Sequence, residues 1–246
     1  MESGKLDKTD LRIIRKIAED SRQPLSSLAR AANVSVDTVK NRLDAMRRAG
    51  IISRLFAEPD LAALSLRTFR LYVDVSAMPE QEAARLMRTY RQHPACQWVA
   101  RGEGAWDFIL RFSLPSERDF KQEVEEFMNK FGRFVKRKAI TLGTYQAYFP
   151  PTYLIGGTRT AAITLDHSRK PAQLDLLDYR ILEALYEDAR LPNTQMAHRF
   201  GVTPEVIQYR LKGLRRQGVI HSYSAWFNPE PAGFHLYKVF FWLQNL

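Results

Sequence analysis

Residues 6–53 and 174–221 align without a gap at an offset of 168, and 17 of the 48 aligned positions are identical. A spacing this long is no solenoid period, so the chain carries a duplicated domain, and any fold assigned to one copy must suit the other. Leu6-Asp7 returns as Leu174-Asp175, Asp10 as Asp178, Arg12-Ile13 as Arg180-Ile181 and Pro24 as Pro192. Arg42-Leu43 returns as Arg210-Leu211, and the phrase MRRAGIIS at 46–53 as LRRQGVIH at 214–221.

Each copy predicts three helices and a hairpin. Asp7 can cap a first helix, with Asp10 three residues on and Leu6 and Leu11 as a hydrophobic staple. Leu11, Ile14, Ile17 and Ala18 fall on one face at helical spacing. Pro24 opens a turn before a short second helix, Ser26 to Ala32. Asn33, replaced by Gly201 in the second copy, occupies the spot where a left-handed residue is expected. Ser35 caps a third helix, about Val36 to Ala49, with Val39, Leu43 and Met46 buried. Gly50 ends it, and Ile51-Ile52 starts an extended segment.

Short helix, tight turn, capped helix, glycine, then β-forming apolar residues is the pattern of a winged helix-turn-helix, whose third helix enters the major groove. The candidate DNA-binding residues are therefore the cap Ser35 and the outward Asp37, Thr38, Lys40 and Asn41, near base edges, with Asp44 beside them. Arg42, Arg47 and Arg48 suit phosphates. In the second copy the candidates are Thr203, Gln208, Tyr209, Arg210, Lys212, Arg215 and Arg216, with Glu205 alongside. For Arg42 and Arg210 an ion pair back to the first helix competes with the phosphate role.

Charge agrees with a polyanionic partner: 37 Lys and Arg against 27 Asp and Glu leave a formal +10,. Residues 1–57 hold about +5 of it and residues 58–148 about +2. No apolar run approaches the roughly 18–20 residues that span a bilayer, so no membrane partner is expected. The opening MESGKLDKTD lacks the apolar core of a secretory signal. Cys96, the only cysteine, excludes an internal disulfide and fits a reducing cytoplasm,. The five histidines are scattered, without metal-ligand spacing, so neither metal nor cofactor is expected,.

Residues 68–147 follow another grammar. TFRLYVDVS alternates with period two, as a half-buried strand does. PEQEAARLMRTYRQH is a helix with Ala83, Leu86, Met87 and Tyr90 inward. ACQWVARGEG and AWDFILRFSL are strands joined by a glycine-containing turn. SERDFKQEVEEFMNKFG is a second helix, capped by Ser116 and burying Phe120, Val124 and Phe127. VKRKAITLGTYQAYF closes the unit. The order βαββαβ is ferredoxin-like.

Together, Leu6–Ile13 (LDxxDxxI), Val34–Leu43 (VSxxTVxxRL), Arg48–Ile52 (RxGII) and Gly104–Phe108 (GxWDF) give a chain that resembles the leucine-responsive (Lrp/AsnC) family of transcription regulators. The resemblance implies an α+β chain: a winged helix-turn-helix followed by a ferredoxin-like domain that dimerises through its sheets, making a homo-oligomer. It also implies a small effector, commonly an amino acid, at the turn Arg101, Gly102, Glu103, Gly104, Ala105, Trp106 and Asp107. Glycines there let backbone amides approach a carboxylate, and Asp107 could take an ammonium. Trp98 and Trp106 read as core.

The expected boundaries are 1–57 for the first helix-turn-helix, 58–148 for the ferredoxin-like domain, 149–172 for a linker with a short hairpin, and 173–227 for the second helix-turn-helix. Residues 228–246, where FHLYKVFFWLQNL resembles TFRLYVDVS, read as the first strand of a second ferredoxin-like domain, so the chain is expected to be a fragment. The expected function is sequence-specific transcriptional regulation on double-stranded DNA, without enzymatic activity. Two alternatives stand beside it. Siroheme decarboxylases of heme biosynthesis resemble the same scaffold, and a low-specificity architectural DNA-binding protein would share the charge.

Overall fold

The first helix, α1 (Lys8–Glu19), begins where its cap satisfies the orphan amides. Asp7 Oδ1 accepts from the Thr9 and Asp10 amides at 2.7 and 2.9 Å, and Asp10 returns the bond to the Asp7 amide at 3.1 Å,. In a computed structural model, the described residues are 6–148, 163–166, 170–228, 230–233, 235 and 237–240. They divide into two units, one holding both helix-turn-helix copies and the other the sheet domain, Asp60–Ala147 with Ile163–Gln173.

In the first copy α1 is followed by α2 (Leu25–Ala32) and α3 (Val36–Arg48). Asn33 ends α2 at φ 57°, the left-handed conformation expected there. Ser35 Oγ accepts the Thr38 amide at 3.1 Å and starts α3, which buries Val39, Leu43 and Met46. The buried face of α1 is Ile13, Ile14 and Ile17, whereas Leu11 is only half-buried. The shift from the expected face has a cause: α1 packs both on α2 and on a strand from the second copy. Gly50, at φ 71°, turns the chain into β1 (Ile52–Pro59).

The sheet domain runs β2 (Arg67–Val75), α4 (Glu80–Arg91), β3 (Cys96–Arg101), β4 (Phe108–Leu114), α5 (Glu117–Phe131) and β5 (Val135–Gly143). Its strands lie antiparallel in the order β3-β4-β2-β5, the ferredoxin-like βαββαβ arrangement,. One face buries Phe69, Leu71, Val73, Phe108, Leu110 and Phe112 against Leu86, Tyr90, Phe120, Phe127 and Phe131. Phe69 stacks on Phe120 with centroids 4.7 Å apart. Beyond it, β6 (Tyr145–Tyr148) pairs with β7 (Ile163–Asp166), so part of the stretch expected as linker is strand. Most of the rest of that linker lies outside the described residues.

The second copy repeats the first: α6 (Leu176–Glu187), α7 (Asn193–Phe200), α8 (Pro204–Arg216) and β8 (Ile220–Phe227). Asp175 and Asp178 rebuild the capping box, and Gly201 takes the left-handed cap at φ 69°. The strand expected over 234–246 falls largely outside the described residues; His235 and Tyr237–Phe240 are described and carry no regular secondary structure.

The hairpin expected within each copy is replaced by a strand pair between copies. β1 and β8 run antiparallel, from Ile52 opposite Phe227 to Pro59 opposite Ile220. Each strand also packs across: α6 lies on β1 and α1 on β8. The Ser21 amide donates to Tyr223 O and the Ala189 amide to Leu55 O, both at 2.9 Å. A single strand per copy leaves half a ladder unpaired, and the duplicate supplies the missing half.

Ser21 is fully buried and its hydroxyl has no hydrogen-bond partner, while the equivalent residue of the second copy is the buried Ala189. Ser21→Ala removes an unsatisfied polar group without opening a cavity larger than one oxygen. It is expected to stabilise the protein by about 1 kcal/mol, measured by denaturant unfolding.

Candidate nucleic-acid interface

The outward face of α3 carries Asp37, Lys40, Asn41 and Asp44 exposed, with Ser35 at its N-terminus and Thr38 half-buried behind it. Ser35 and Thr38 share a hydroxyl hydrogen bond at 2.9 Å, which orders the first turn. Lys40 pairs with Asp37 at 3.4 Å and Arg47 with Asp44 at 3.9 Å. Exposed pairs of this kind contribute about 0.5 kcal/mol or less, so a phosphate or base edge can displace them. Arg48 is exposed at the end of the helix.

The second helix presents a different set. Thr203 caps α8 through a 3.5 Å contact with the Val206 amide, and Glu205, Gln208, Tyr209, Lys212, Arg215 and Arg216 are exposed. Tyr209, at the position of Asn41, is 72% exposed, and a ring held that far into water suits stacking or methyl contact with a partner,. Gln208, Lys212 and Arg215 also border an open cleft of about 370 Å³ whose other wall is the first copy's turn, Asp20 to Pro24. There the Arg215 guanidinium lies 5.5 Å from the Tyr223 ring centre, so it is part of the packing as well as of the exposed face,.

Two of the proposed phosphate contacts belong to the frame instead. Arg42 donates to Asp7 Oδ2 at 2.6 Å and Asp10 Oδ1 at 2.9 Å. Arg210 does the same with Asp175 at 2.7 Å and Asp178 at 3.3 Å. Each guanidinium joins the third helix of its copy to the capping box of the first, one nitrogen reaching both carboxylates,. The hydrogen bonds that Arg42 donates to Asp10 and Asp7 hold its guanidinium above its usual range. The Asp10 amide, with help from Arg42, holds the Asp7 carboxyl below its own. Asp175 is lowered in the same way by the Asp178 amide and Arg210.

A carboxylate with a depressed folded-state pKa stabilises fully above its unfolded value, and that stability is lost as the pH falls through the folded value. Acidification below about pH 4 is therefore expected to loosen both copies. Thermal melts of the wild type should fall more steeply with acid than those of the Arg42→Met, Arg210→Met double variant.

The residues that join the copies were not among the candidates. Arg22 donates to Ala189 O, to Leu191 O at 3.0 Å and to Asn193 Oδ1 at 2.7 Å, and Arg190 donates to Ser21 O at 2.8 Å. Burial lowers the pKa of both guanidinium groups. They occupy equivalent, identical positions of the repeat, the one signal by which the sequence marks them.

In the sheet domain the 101–107 turn is occupied by its own contacts. Arg101 binds Glu80 through both carboxylate oxygens, at 2.7 and 2.8 Å. Asp107 Oδ2 accepts the Val75 amide at 2.7 Å, its backbone amide donates to Val73 O, and its carbonyl accepts from Gly102. Trp106 is half-buried between the Arg137 guanidinium, 4.5 Å from its ring, and Tyr72. Arg101 and Asp107 thus hold the turn to its own sheet domain, a structural role beside the ammonium contact expected of Asp107. Gly102, Glu103 and Gly104 are exposed.

Among the described residues no group of three or more histidines, cysteines or carboxylates could hold a metal ion. No helix among them is long and apolar enough to cross a membrane.

A family of winged helix-turn-helix DNA-binding domains matches residues 6–53 and again 174–221. The chain is 36% identical over 74 residues to an uncharacterized HTH-type transcriptional regulator of Pyrococcus horikoshii, PH0140, covering 30% of this chain and 46% of that protein. It is 36% identical over 66 residues to the leucine-responsive regulatory protein of Escherichia coli K12, covering 26% and 40%. The match thus spans about half the length, or less, of these curated relatives. Among solved structures, an AsnC family transcriptional regulator from Agrobacterium tumefaciens superposes with a TM-score of 0.52 at 19% identity, over 59% of this chain and 95% of that one. The siroheme decarboxylase NirDL superposes with a TM-score of 0.55 at 17% identity, over 89% of this chain and 65% of that one. At such identities the likeness is one of fold.

Proposed function

We propose that this chain, which belongs to the Lrp/AsnC family of transcription regulators, is a sequence-specific DNA-binding regulator that contacts the duplex through α3 and α8. The observation that carries the reading is the pair of capped helices whose outward faces are polar and exposed, each held by an arginine to its own first helix. Arg47, Arg48 and Arg216 supply phosphate contacts; Lys40, Asn41, Gln208, Tyr209 and Lys212 face the bases. Gel-shift titrations over a series of salt concentrations test it. The logarithm of the binding constant should fall linearly with the logarithm of salt, with a slope of several released counterions. A flat profile contradicts the proposal.

The same reading makes the protein cytoplasmic and self-associating through the sheet domain. Ile140 and Leu142 on the edge strand β5, 51% and 43% exposed, support self-association,. An amino-acid effector at the 101–107 turn would meet Glu103 and the Gly104 amide, since Arg101 and Asp107 are engaged. The enzyme reading has the fold likeness to NirDL in its favour. Against it, His93 is tied to Glu123 at 3.2 Å inside the sheet domain, while His198 and His221 are exposed on separate elements of the second copy. Mixing with siroheme is expected to leave its absorption spectrum unchanged.

A further inference from the structure

We infer that one chain is a complete and asymmetric DNA reader: its two copies pair first with second, and the pair recognises two unequal half-sites in place of a palindrome. This rests on the reading of α3 and α8 as recognition helices.

The pairing follows an internal dyad. Adding 168 to a β1 residue and subtracting 168 from its β8 partner turns every rung of the ladder into a rung of the same ladder. Ile52 opposite Phe227 becomes Ile220 opposite Pro59, and Arg54 opposite Trp226 becomes Ser222 opposite Glu58. Leu55 opposite Ala225 becomes Tyr223 opposite Ala57, and Phe56 opposite Ser224 maps onto itself. One backbone contact and one arginine contact from each turn obey the same operation. Ser21 to Tyr223 becomes Ala189 to Leu55, and Arg22 to Ala189 becomes Arg190 to Ser21. The axis therefore passes through the Phe56–Ser224 rung and relates α3 to α8. That is the symmetry a pair of half-sites on duplex DNA presents.

At the axis the copies are unlike, and their differences fit together. Phe56 meets the Tyr186 ring edge-on at 5.9 Å, and the Arg54 guanidinium lies 5.0 and 4.3 Å from those two rings. The equivalent residues on the other side are Ser224, Ala18 and Ser222. Two first copies pairing would set Phe56 against Phe56 on the axis and offer it Ala18 in place of Tyr186. Two second copies would set Ser224 against Ser224 and strip Tyr186 of both its partners. Large faces small only in the first-with-second pair, so the junction selects against both homotypic pairs. The recognition faces differ as well: Thr38, Lys40, Asn41 and Asp44 in one, Val206, Gln208, Tyr209 and Lys212 in the other. Unlike side chains on equivalent helices read unlike base pairs.

Selection of binding sites from random duplex DNA tests this, with the full chain as wild type, as Lys40→Ala with Asn41→Ala, and as Gln208→Ala with Tyr209→Ala. These positions are exposed, and unchanged melting curves verify that the variants fold. The wild type should enrich two unequal elements about one helical turn apart. Each double variant should lose preference in one element only, by about tenfold, and a different element for each. A palindrome erased in both halves by the first variant and untouched by the second overturns the inference while leaving the regulator reading intact. No enrichment at all overturns both.

Discussion

Phe56→Ala is expected to cost about 3–5 kcal/mol of unfolding free energy, the range for truncating a buried phenylalanine. Phe56 is 7% exposed in the middle of β1, against Tyr186 and under Arg54. Its removal opens a cavity where the copies meet and leaves the Arg54 guanidinium without one of its two rings. The equivalent substitution, Ser224→Ala, removes one end of a 2.9 Å bond with Ser222 and should change stability by no more than about 1 kcal/mol,. A two-domain wing in which each copy closed on its own strand would make the two substitutions local and would not link them to DNA binding. Here Phe56→Ala should also weaken binding of a duplex carrying both half-sites, because both recognition helices are aligned through that strand pair. Chemical denaturation and fluorescence anisotropy measure the two effects on one preparation.

Arg47→Ala with Arg48→Ala should lower affinity for duplex DNA at least about tenfold and reduce the salt slope by about two, one per phosphate contact. The effect of Arg215→Ala with Arg216→Ala should be smaller. Residues 6–53 carry 10 basic and 6 acidic side chains, a net +4, against 7 and 6, a net +1, over 174–221. Arg215 is also engaged over the Tyr223 ring. Arg42→Ala provides the contrast. Its guanidinium ties α3 to Asp7 and Asp10, so the substitution should lower the melting temperature and leave the salt slope of the folded fraction nearly unchanged. A reversed ranking of the two arginine pairs would refute the asymmetry of charge between the copies.

Much of this fold is written in local chemistry. The capping boxes at Asp7 and Asp175, the left-handed Asn33 and Gly201, and the stripe Val39, Leu43 and Met46 depend on residues within one or two turns of each other, and spacing is enough to find them,. The ferredoxin-like order follows equally from alternation and helical periodicity. What could not be read is where each wing strand finds its partner. The apolar run from Ile51 states that the strand is buried but not against what, and β1 meets β8 across more than 160 residues of chain. Arg42 was legible as a choice between phosphate and carboxylate, and only the 2.6 Å contact with Asp7 decides it. Asp107 shows a related limit. A carboxylate beside glycines looks free to bind, yet the amide that claims it, at Val75, lies on a strand end far away in sequence.

Both recognition helices differ from an ordinary charged surface only if they discriminate among sequences. The most direct measurement is therefore the ratio of affinities of the full chain for its best selected duplex and for a random duplex of equal length, at the same moderate salt. A sequence-specific regulator of this kind should show a ratio of about a thousand or more, lost stepwise as the Lys40, Asn41, Gln208 and Tyr209 side chains are removed. Equal affinity for both duplexes, unchanged by those removals, would contradict base reading and leave a protein that binds DNA by charge alone.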